Sequence, residues 1–255
     1  MGSEAPGSLW LAAPMRAANV RARLIAVPSA GGTPSMYRSL ADRLAPDVEV
    51  WAVQLPGRER RFGEPVPESL AEIVPALATA IGDTIEPPFA ILGHSMGALI
   101  AYEVARRLCD LGEPPPQRLL VSAFPAPHLP LWSAQAPRHT LPDEELLRWL
   151  AAAGGMPAEA LADRELMALL LPSIRGDLRA CESYAYRPAP PLPMPVTAFA
   201  GSDDALVPVE HVAAWDRHTD GDFDLNVLPG GHFYLHTAEH ALASRVRDVL
   251  APGIP

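Results

Sequence analysis

The sequence of 255 residues contains no lysine, so its 20 basic residues are all arginine. This absence excludes a lysine nucleophile or a lysine Schiff base. The 30 acidic residues give a formal net charge of −10, and no basic stripe of the kind found in nucleic-acid-binding proteins is present. We therefore expect no nucleic-acid partner.

Cysteine and long apolar runs are also scarce. Two cysteines, Cys109 and Cys181, are too few for a disulfide scaffold. No run approaches the ~18 apolar residues of a membrane span, and the first twenty residues lack the basic and apolar regions of a secretory signal. We expect a cytoplasmic protein without membrane association; the sequence leaves the oligomeric state open, with a monomer preferred. No metal-ligand spacing such as H-E-x-x-H occurs, so we expect no metal and no cofactor.

Short apolar runs alternate with longer segments of helical period, which predicts an α/β fold with a mostly parallel central sheet. We treat residues 1–255 as a single domain. The predicted strands are Arg21–Val27, Val48–Val53, Phe89–Leu92, Leu119–Ser122, Val196–Ala200 and Phe223–Leu228. The predicted helices between them are Ser35–Leu44, Ser69–Ile85, Met96–Leu111, Val209–His218 and His236–Leu250.

One stretch, about 126–194, interrupts this alternation. Proline-rich ends bracket it, and between them only helical pieces are predicted, including Arg164–Leu171 and Ser173–Ala185. A helical insertion between two strands favours a lid over the sheet edge. An independent helical packing unit is the alternative.

The segment from Gly93 to Gly97 reads G-H-S-M-G at the end of a predicted strand and the start of a predicted helix. This G-x-S-x-G pattern in a strand–turn–helix context is typical of a nucleophile elbow. Ser95 is therefore the candidate nucleophile. The alternative is a serine that merely caps the helix.

A serine nucleophile needs a base, and eight histidines compete for that role. His94 is expected to pack near the elbow, and the four histidines on predicted helices, including His218, are expected to face solvent. His232 follows the last predicted strand in the glycine-rich segment L-P-G-G-H-F. Because such a loop can return an imidazole over the elbow, His232 is the candidate base.

The acid is expected between nucleophile and base along the chain, at the end of a strand. The loop after Val196–Ala200 carries two carboxylates, Asp203 and Asp204, whereas the loop after Leu119–Ser122 carries none. Asp204 is preferred for its G-x-x-D spacing, and Asp203 remains the alternative. The acid would hold the histidine tautomer and stabilise the imidazolium.

The first strand ends in V-P-S-A-G-G-T-P. With an elbow of this kind, the loop after an early strand and the residue after the nucleophile each supply one oxyanion donor. The backbone amides of Ala30 and Met96 are therefore the candidate oxyanion hole. A simple glycine turn is the alternative.

Four motifs together resemble the type II (stand-alone, editing) thioesterases of polyketide synthase and nonribosomal peptide synthetase systems. They are P-S-A-G-G at 28–32, Q-L-P-G-R-E-R-R at 54–61, G-H-S-M-G-A at 93–98 and P-G-G-H-F-Y-L at 229–235. The resemblance implies an α/β-hydrolase fold with a helical lid, and Ser95, Asp204 and His232 as the triad. One departure is Ser29, where family members usually have histidine.

By this resemblance the substrate is an acyl group on the phosphopantetheine arm of an acyl or peptidyl carrier protein, and no other cofactor is needed. The protein would remove aberrant or stalled acyl groups. Three alternatives stay open: a generic carboxylesterase or lipase, a chain-releasing thioesterase, and a non-enzymatic scaffold.

Two further expectations concern the substrate and its carrier. An apolar acyl pocket under the lid would be lined by residues of the insertion, namely Trp132, Leu146, Trp149, Leu150 and Leu171. Arg58, Arg60 and Arg61 form the dense basic cluster of the chain. They are expected either to dock an acidic carrier protein or to build the local loop.

Overall fold

The computed structural model describes residues 9–12, 20–131 and 137–251. Within these ranges six strands form one parallel sheet in the order β2-β1-β3-β4-β5-β6. The strands are β1 (Ala22–Val27), β2 (Val48–Ala52), β3 (Ala90–His94), β4 (Arg118–Ser122), β5 (Val196–Gly201) and β6 (Phe223–Leu228). The predicted parallel sheet is confirmed, with every strand end within two residues of its predicted position.

The helices of the described residues differ more from the prediction. They are α1 (Arg38–Leu44), α2 (Leu70–Thr84), α3 (Met96–Leu111), α4 (Asp143–Ala153), α5 (Ala158–Ala162), α6 (Arg164–Glu182), α7 (Val209–Ala213), α8 (Tyr234–Thr237) and α9 (Glu239–Leu250). None of these helices combines the length and apolar character needed to cross a bilayer.

The inner strands of the sheet are covered by apolar residues on both faces, which explains why they lack polar alternation. All five residues of β3 are buried, whereas the edge strand β6 is largely half-buried. Helices α2 and α3 pack on one face, and helices α1 and α9 pack on the other. The carboxyl ends of the parallel strands therefore meet at one edge of a rigid sheet.

The insertion between β4 and β5 contains α4, α5 and α6. Helix α6 is continuous through Pro172, although the sequence predicts two separate pieces there. The prediction was wrong because Leu171 and Ile174, on either side of the proline, belong to one buried apolar cluster, and this shared burial keeps the helix intact. Residues 132–136, with the predicted lining residue Trp132, lie outside the described residues.

Candidate active site

Ser95 occupies the sharp turn between β3 and α3. Its backbone has φ 54° and ψ −126°, a region that side chains rarely adopt, and its amide donates to Ser122 O at 2.7 Å. The flanking glycines make room for this turn: a Cβ on Gly93 would lie 2.0 Å from Gly97 O, and one on Gly97 would lie 2.1 Å from Val27 O. The elbow thus requires glycine at both positions, as the motif predicts.

Gly97→Ala is therefore expected to lower the free energy of unfolding by about 3 kcal/mol, the upper end of typical overpacking costs, because the clash is with backbone. Gly82→Ala is the matched control. Gly82 lies in α2 with open space around its Cα, so alanine there should stabilise by about 0.5–1 kcal/mol. Denaturant unfolding of both variants checks the difference, and equal stabilities would contradict the steric account.

The structure brings Ser95, His232 and Asp204 together at the carboxyl edge of the sheet. Ser95 Oγ lies 2.9 Å from His232 Nε2, and His232 Nδ1 lies 2.8 Å from Asp204 Oδ2. The imidazole and the carboxylate are both buried, with side-chain exposures of 6% and 1%. A continuous hydrogen-bonded chain therefore runs from the hydroxyl to the carboxylate across three separate loops.

The two neighbouring aspartates differ in their surroundings. Asp204 Oδ1 accepts hydrogen bonds from the amides of Leu206 and Val207 at 2.8 and 3.1 Å, which leaves Oδ2 for His232. Asp203 is exposed and accepts from the hydroxyl of Ser202 instead. Of the two candidates, the structure places Asp204 against the imidazole.

Ala30 and Met96 both line the cleft beside Ser95. Met96 is the first residue of α3, so its amide has no partner within the helix and is free to bind an anion. Ala30 lies in a turn that Gly32 N closes by donating to Ser29 O at 2.8 Å, with Gly31 at φ +70°. These are features of a type II turn with Ala30 at its second position.

Behind the elbow, His94 is fully buried, as the sequence predicts. Its Nδ1 lies 2.8 Å from Ser122 Oγ, which in turn lies 2.5 Å from the Tyr234 hydroxyl. Burial, and secondarily the nearby His232, hold the pKa of the His94 imidazole well below its ordinary value. His94 is therefore neutral and supports the turn without adding a positive charge beside His232.

A mostly apolar cleft of about 890 Å³, open to solvent, contains Ser95 and His232. Trp149 and Leu150 of α4 line it, as predicted, together with Phe124 and Ile174. Leu146 and Leu171 do not line it. Both were predicted wrongly, because they turn inward and form the insertion's own apolar cluster. The insertion thus has a small core of its own and also forms one wall of the cleft.

The basic cluster proves to be divided between the interior and the surface. Arg58 is buried in a bidentate pair with Asp177, and Arg61 is buried between Glu64 and the ring of Trp10. Only Arg60, among these three, is exposed. The docking interpretation is therefore wrong for Arg58 and Arg61, which build the loop structure.

Sequence reasoning missed Asp177, which contacts both Arg58 and the amide of Gly31. The available signal was a single carboxylate on the apolar face of α6, between the buried residues Ile174 and Cys181. A charge in that position requires a buried partner.

The expectation that His218 faces solvent was also wrong. His218 is buried against Tyr102 and hydrogen-bonds to His128, with 2.7 Å between their ring nitrogens. Burial, with His128 as the second cause, lowers the pKa of His218 to about 4. In the described ranges, no three His, Cys, Asp or Glu side chains are grouped as metal ligands.

Comparison with known proteins identifies close relatives along nearly the whole chain. A family model described as a thioesterase domain matches residues 22–250. The gramicidin S biosynthesis protein GrsT of Aneurinibacillus migulanus is 38% identical over 236 residues, 91% of each chain. Thioesterase PikA5 of Streptomyces venezuelae is 37% identical over 243 residues, 95% of this chain and 85% of its own.

Among solved structures, the type II thioesterase BorB from the borrelidin biosynthetic cluster is similar throughout. It has a TM-score of 0.86 and 39% identity, and the match covers 97% of this chain and 98% of BorB. The resemblance to type II thioesterases and the expected α/β-hydrolase fold are both confirmed by these matches. The chain belongs to the thioesterase family.

Proposed function

We propose that the protein hydrolyses acyl thioesters carried on the phosphopantetheine arm of acyl or peptidyl carrier proteins, and so removes aberrant or stalled acyl groups in polyketide or nonribosomal peptide biosynthesis. One observation carries the proposal: in a chain of the thioesterase family, Ser95, His232 and Asp204 form a hydrogen-bonded chain with contacts of 2.9 and 2.8 Å at an apolar cleft.

In the first step Ser95 Oγ attacks the thioester carbonyl carbon while its proton passes to His232 Nε2. Asp204 accepts the hydrogen bond from Nδ1–H and stabilises the imidazolium. The carbonyl oxygen becomes an oxyanion that accepts hydrogen bonds from the Ala30 and Met96 amides. When the C–S bond breaks, the thiol leaves with the proton from His232. Because a thiol is more acidic than an alcohol, its departure needs less help from a general acid.

In the second step water hydrolyses the acyl-serine. His232 takes a proton from the water, whose oxygen attacks the acyl carbon, and then returns a proton to Ser95 Oγ as the acid leaves. The same two amides stabilise the second oxyanion. No metal or redox cofactor takes part in this proposal, since the phosphopantetheine arm belongs to the substrate.

The shape and lining of the cleft suit an acyl chain. Its wall includes Trp149, Leu150, Phe124, Ile174 and Leu178, with few polar atoms away from Ser95 and His232. Apolar walls bind an acyl chain by removing its methylenes from water. We propose a monomer acting in the cytoplasm, where the carrier proteins of a megasynthase would present such chains.

The proposed role of the Ala30 amide can be tested by Ala30→Pro. Proline suits the second position of a type II turn but has no N–H, so it removes the donor and leaves the turn conformation available. We expect kcat to fall about 10²–10³-fold, the usual loss for one oxyanion donor. Ala30→Ser keeps the amide and serves as the control. A proline variant with normal kcat and normal melting temperature would show that this amide has no such role.

The substrate proposal is tested by steady-state hydrolysis of a panel of acyl-carrier thioesters, set against simple alkyl esters of the same acyl chains. We expect kcat/KM to favour the carrier thioesters. Comparable values for both would favour a generic carboxylesterase or lipase. Cyclised or released full-length chains as the main products would favour a chain-releasing enzyme.

A further inference from the structure

Asp177 of α6 occupies a buried position directly behind the turn that carries Ala30. Its Oδ2 accepts hydrogen bonds from Gly31 N–H at 2.7 Å and from Arg58 Nη1 at 2.6 Å, and its Oδ1 accepts from Arg58 Nη2 at 2.7 Å. The side chains of Asp177 and Arg58 are 0% and 3% exposed. A charge pair this deeply buried is costly unless every group is satisfied, and here it links three separate segments.

The hydrogen bond from Gly31 constrains the conformation of the turn. In a type II turn the central peptide, here Ala30–Gly31, is rotated by about 180° relative to a type I turn. With Gly31 at φ +70°, its N–H reaches the Asp177 carboxylate. Rotation of this peptide would instead turn the Ala30 carbonyl oxygen toward the carboxylate, which would repel it. The Asp177 carboxylate therefore favours the type II form of the Ser29–Gly32 turn.

Helix α6 also limits the turn sterically. A Cβ on Gly31 would lie 2.6 Å from Ile174 Cγ1, so the turn packs directly on the helix one turn before Asp177. Both contacts come from the same face of α6. The turn is thus held between this helix and the segment that carries Arg58.

Arg58 has a second effect, which is electrostatic. An unpaired carboxylate close to the Ala30 amide would oppose the negative charge that develops on the thioester oxygen. The Arg58 guanidinium neutralises Asp177 through a bidentate contact and is itself oriented by the carbonyl oxygens of Gly32 at 3.2 Å and Pro56 at 3.3 Å. Its own carbonyl accepts from Gln54 Nε2 at 2.9 Å, which anchors the segment.

We propose that Asp177 and Arg58 are positioning residues for hydrolysis: they hold the Ser29–Gly32 turn in the form that presents the Ala30 amide to the oxyanion. The inference rests on the proposed function. Neither residue contacts the reacting atoms, so both act through the turn.

The decisive variant is the double substitution Asp177→Leu with Arg58→Met. Replacing a buried ion pair by apolar residues of similar volume is often neutral for stability, yet it removes the acceptor for Gly31 N–H. We expect kcat on an acyl-carrier thioester to fall roughly tenfold to a hundredfold, because a misplacement of about 1 Å has effects of that size. KM should change by less than about threefold, since the acyl cleft is intact.

A second readout separates positioning from general damage. Ser95 Oγ adds to the carbonyl carbon of a trifluoromethyl ketone analogue of the acyl chain and forms a tetrahedral oxyanion. In the double variant, the inhibition constant of this analogue should therefore rise by a factor similar to the loss in kcat. Arg58→Lys keeps the charge without the bidentate contact and should retain part of the activity. Asp177→Asn, which is nearly isosteric, provides a second variant should the double variant not fold.

The matched control is Asp224→Leu with Arg245→Met. Arg245 of α9 donates to Asp224 near the start of β6 at 2.7 Å, toward the amino ends of the strands and so away from Ser95, and both side chains are 39% exposed. Its removal should leave kcat and the inhibition constant unchanged. Folded Asp177 variants with wild-type kcat and inhibitor affinity, or with a loss confined to KM, would overturn this inference alone. A wild-type protein that hydrolyses no thioester would instead contradict the proposed function.

Discussion

Replacing Ser95 by alanine is expected to lower kcat for acyl-carrier hydrolysis on the order of 10⁶-fold, the size of loss seen when a serine hydrolase loses its nucleophile. The hydroxyl forms the covalent bond in both proposed steps, and no other hydroxyl lies in contact with His232 among the described residues. The melting temperature should change little, because within the described part of the chain Ser95 Oγ makes its one hydrogen bond to that imidazole.

The control for this variant is Ser35→Ala, which removes an exposed hydroxyl bonded to Thr33 outside the elbow. The kcat of this variant should stay within about twofold of the wild-type value. A rapid burst of thiol release should also disappear in Ser95→Ala and persist in Ser35→Ala. Retained turnover in Ser95→Ala would refute the covalent mechanism, and absent turnover in the wild-type protein would favour a scaffold.

Asp204→Asn is expected to lower kcat by about 10⁴-fold with little change in KM or melting temperature. An amide at this position can donate a hydrogen bond to Nδ1 and so favour the imidazole tautomer whose proton is on Nε2. That tautomer cannot accept the proton of Ser95. Without the carboxylate, the imidazolium also loses its buried counter-charge.

Asp203→Asn provides an unusually close control, because it makes the same chemical change one residue earlier. Asp203 is exposed and accepts a hydrogen bond from Ser202, so the kcat of the Asp203→Asn variant should stay within about twofold of the wild-type value. Similar losses in both variants would indicate damage to the loop rather than loss of a specific partner. A larger loss in Asp203→Asn would reverse the assignment of the acid.

The inner parallel strands were predictable because they are buried on both faces and therefore carry nearly continuous apolar runs, most completely in β3 and β5. Helix ends were less predictable. The predicted helix His236–Leu250 is divided at Ala238 into α8 and α9, and the predicted helix Val209–His218 ends as α-helix at Ala213 and continues as a 3₁₀ helix. The period of apolar residues is similar in both helix types, so periodicity alone cannot locate such changes.

The roles of the charged residues were least predictable. Arg58, Arg60 and Arg61 are adjacent in sequence, yet Arg58 and Arg61 are buried and Arg60 is exposed. Arg58 is neutralised by Asp177, 119 residues away. The sequence shows where charges lie along the chain, but the free energy of burying a charge depends on the partner that it contacts in the folded structure.

The amino-acid sequence by itself determined where the three parts of the site lie along the chain: an elbow at Ser95, a glycine-rich loop with His232, and a loop with two carboxylates between them. These are local requirements, because a tight turn needs glycine and a buried strand needs apolar residues. Only the tertiary structure decided which aspartate meets the imidazole and which charges are buried. Those outcomes depend on contacts between segments that are separated along the chain, by 28 residues for Asp204 and His232 and by 119 for Arg58 and Asp177, and packing of the helices on the sheet establishes them.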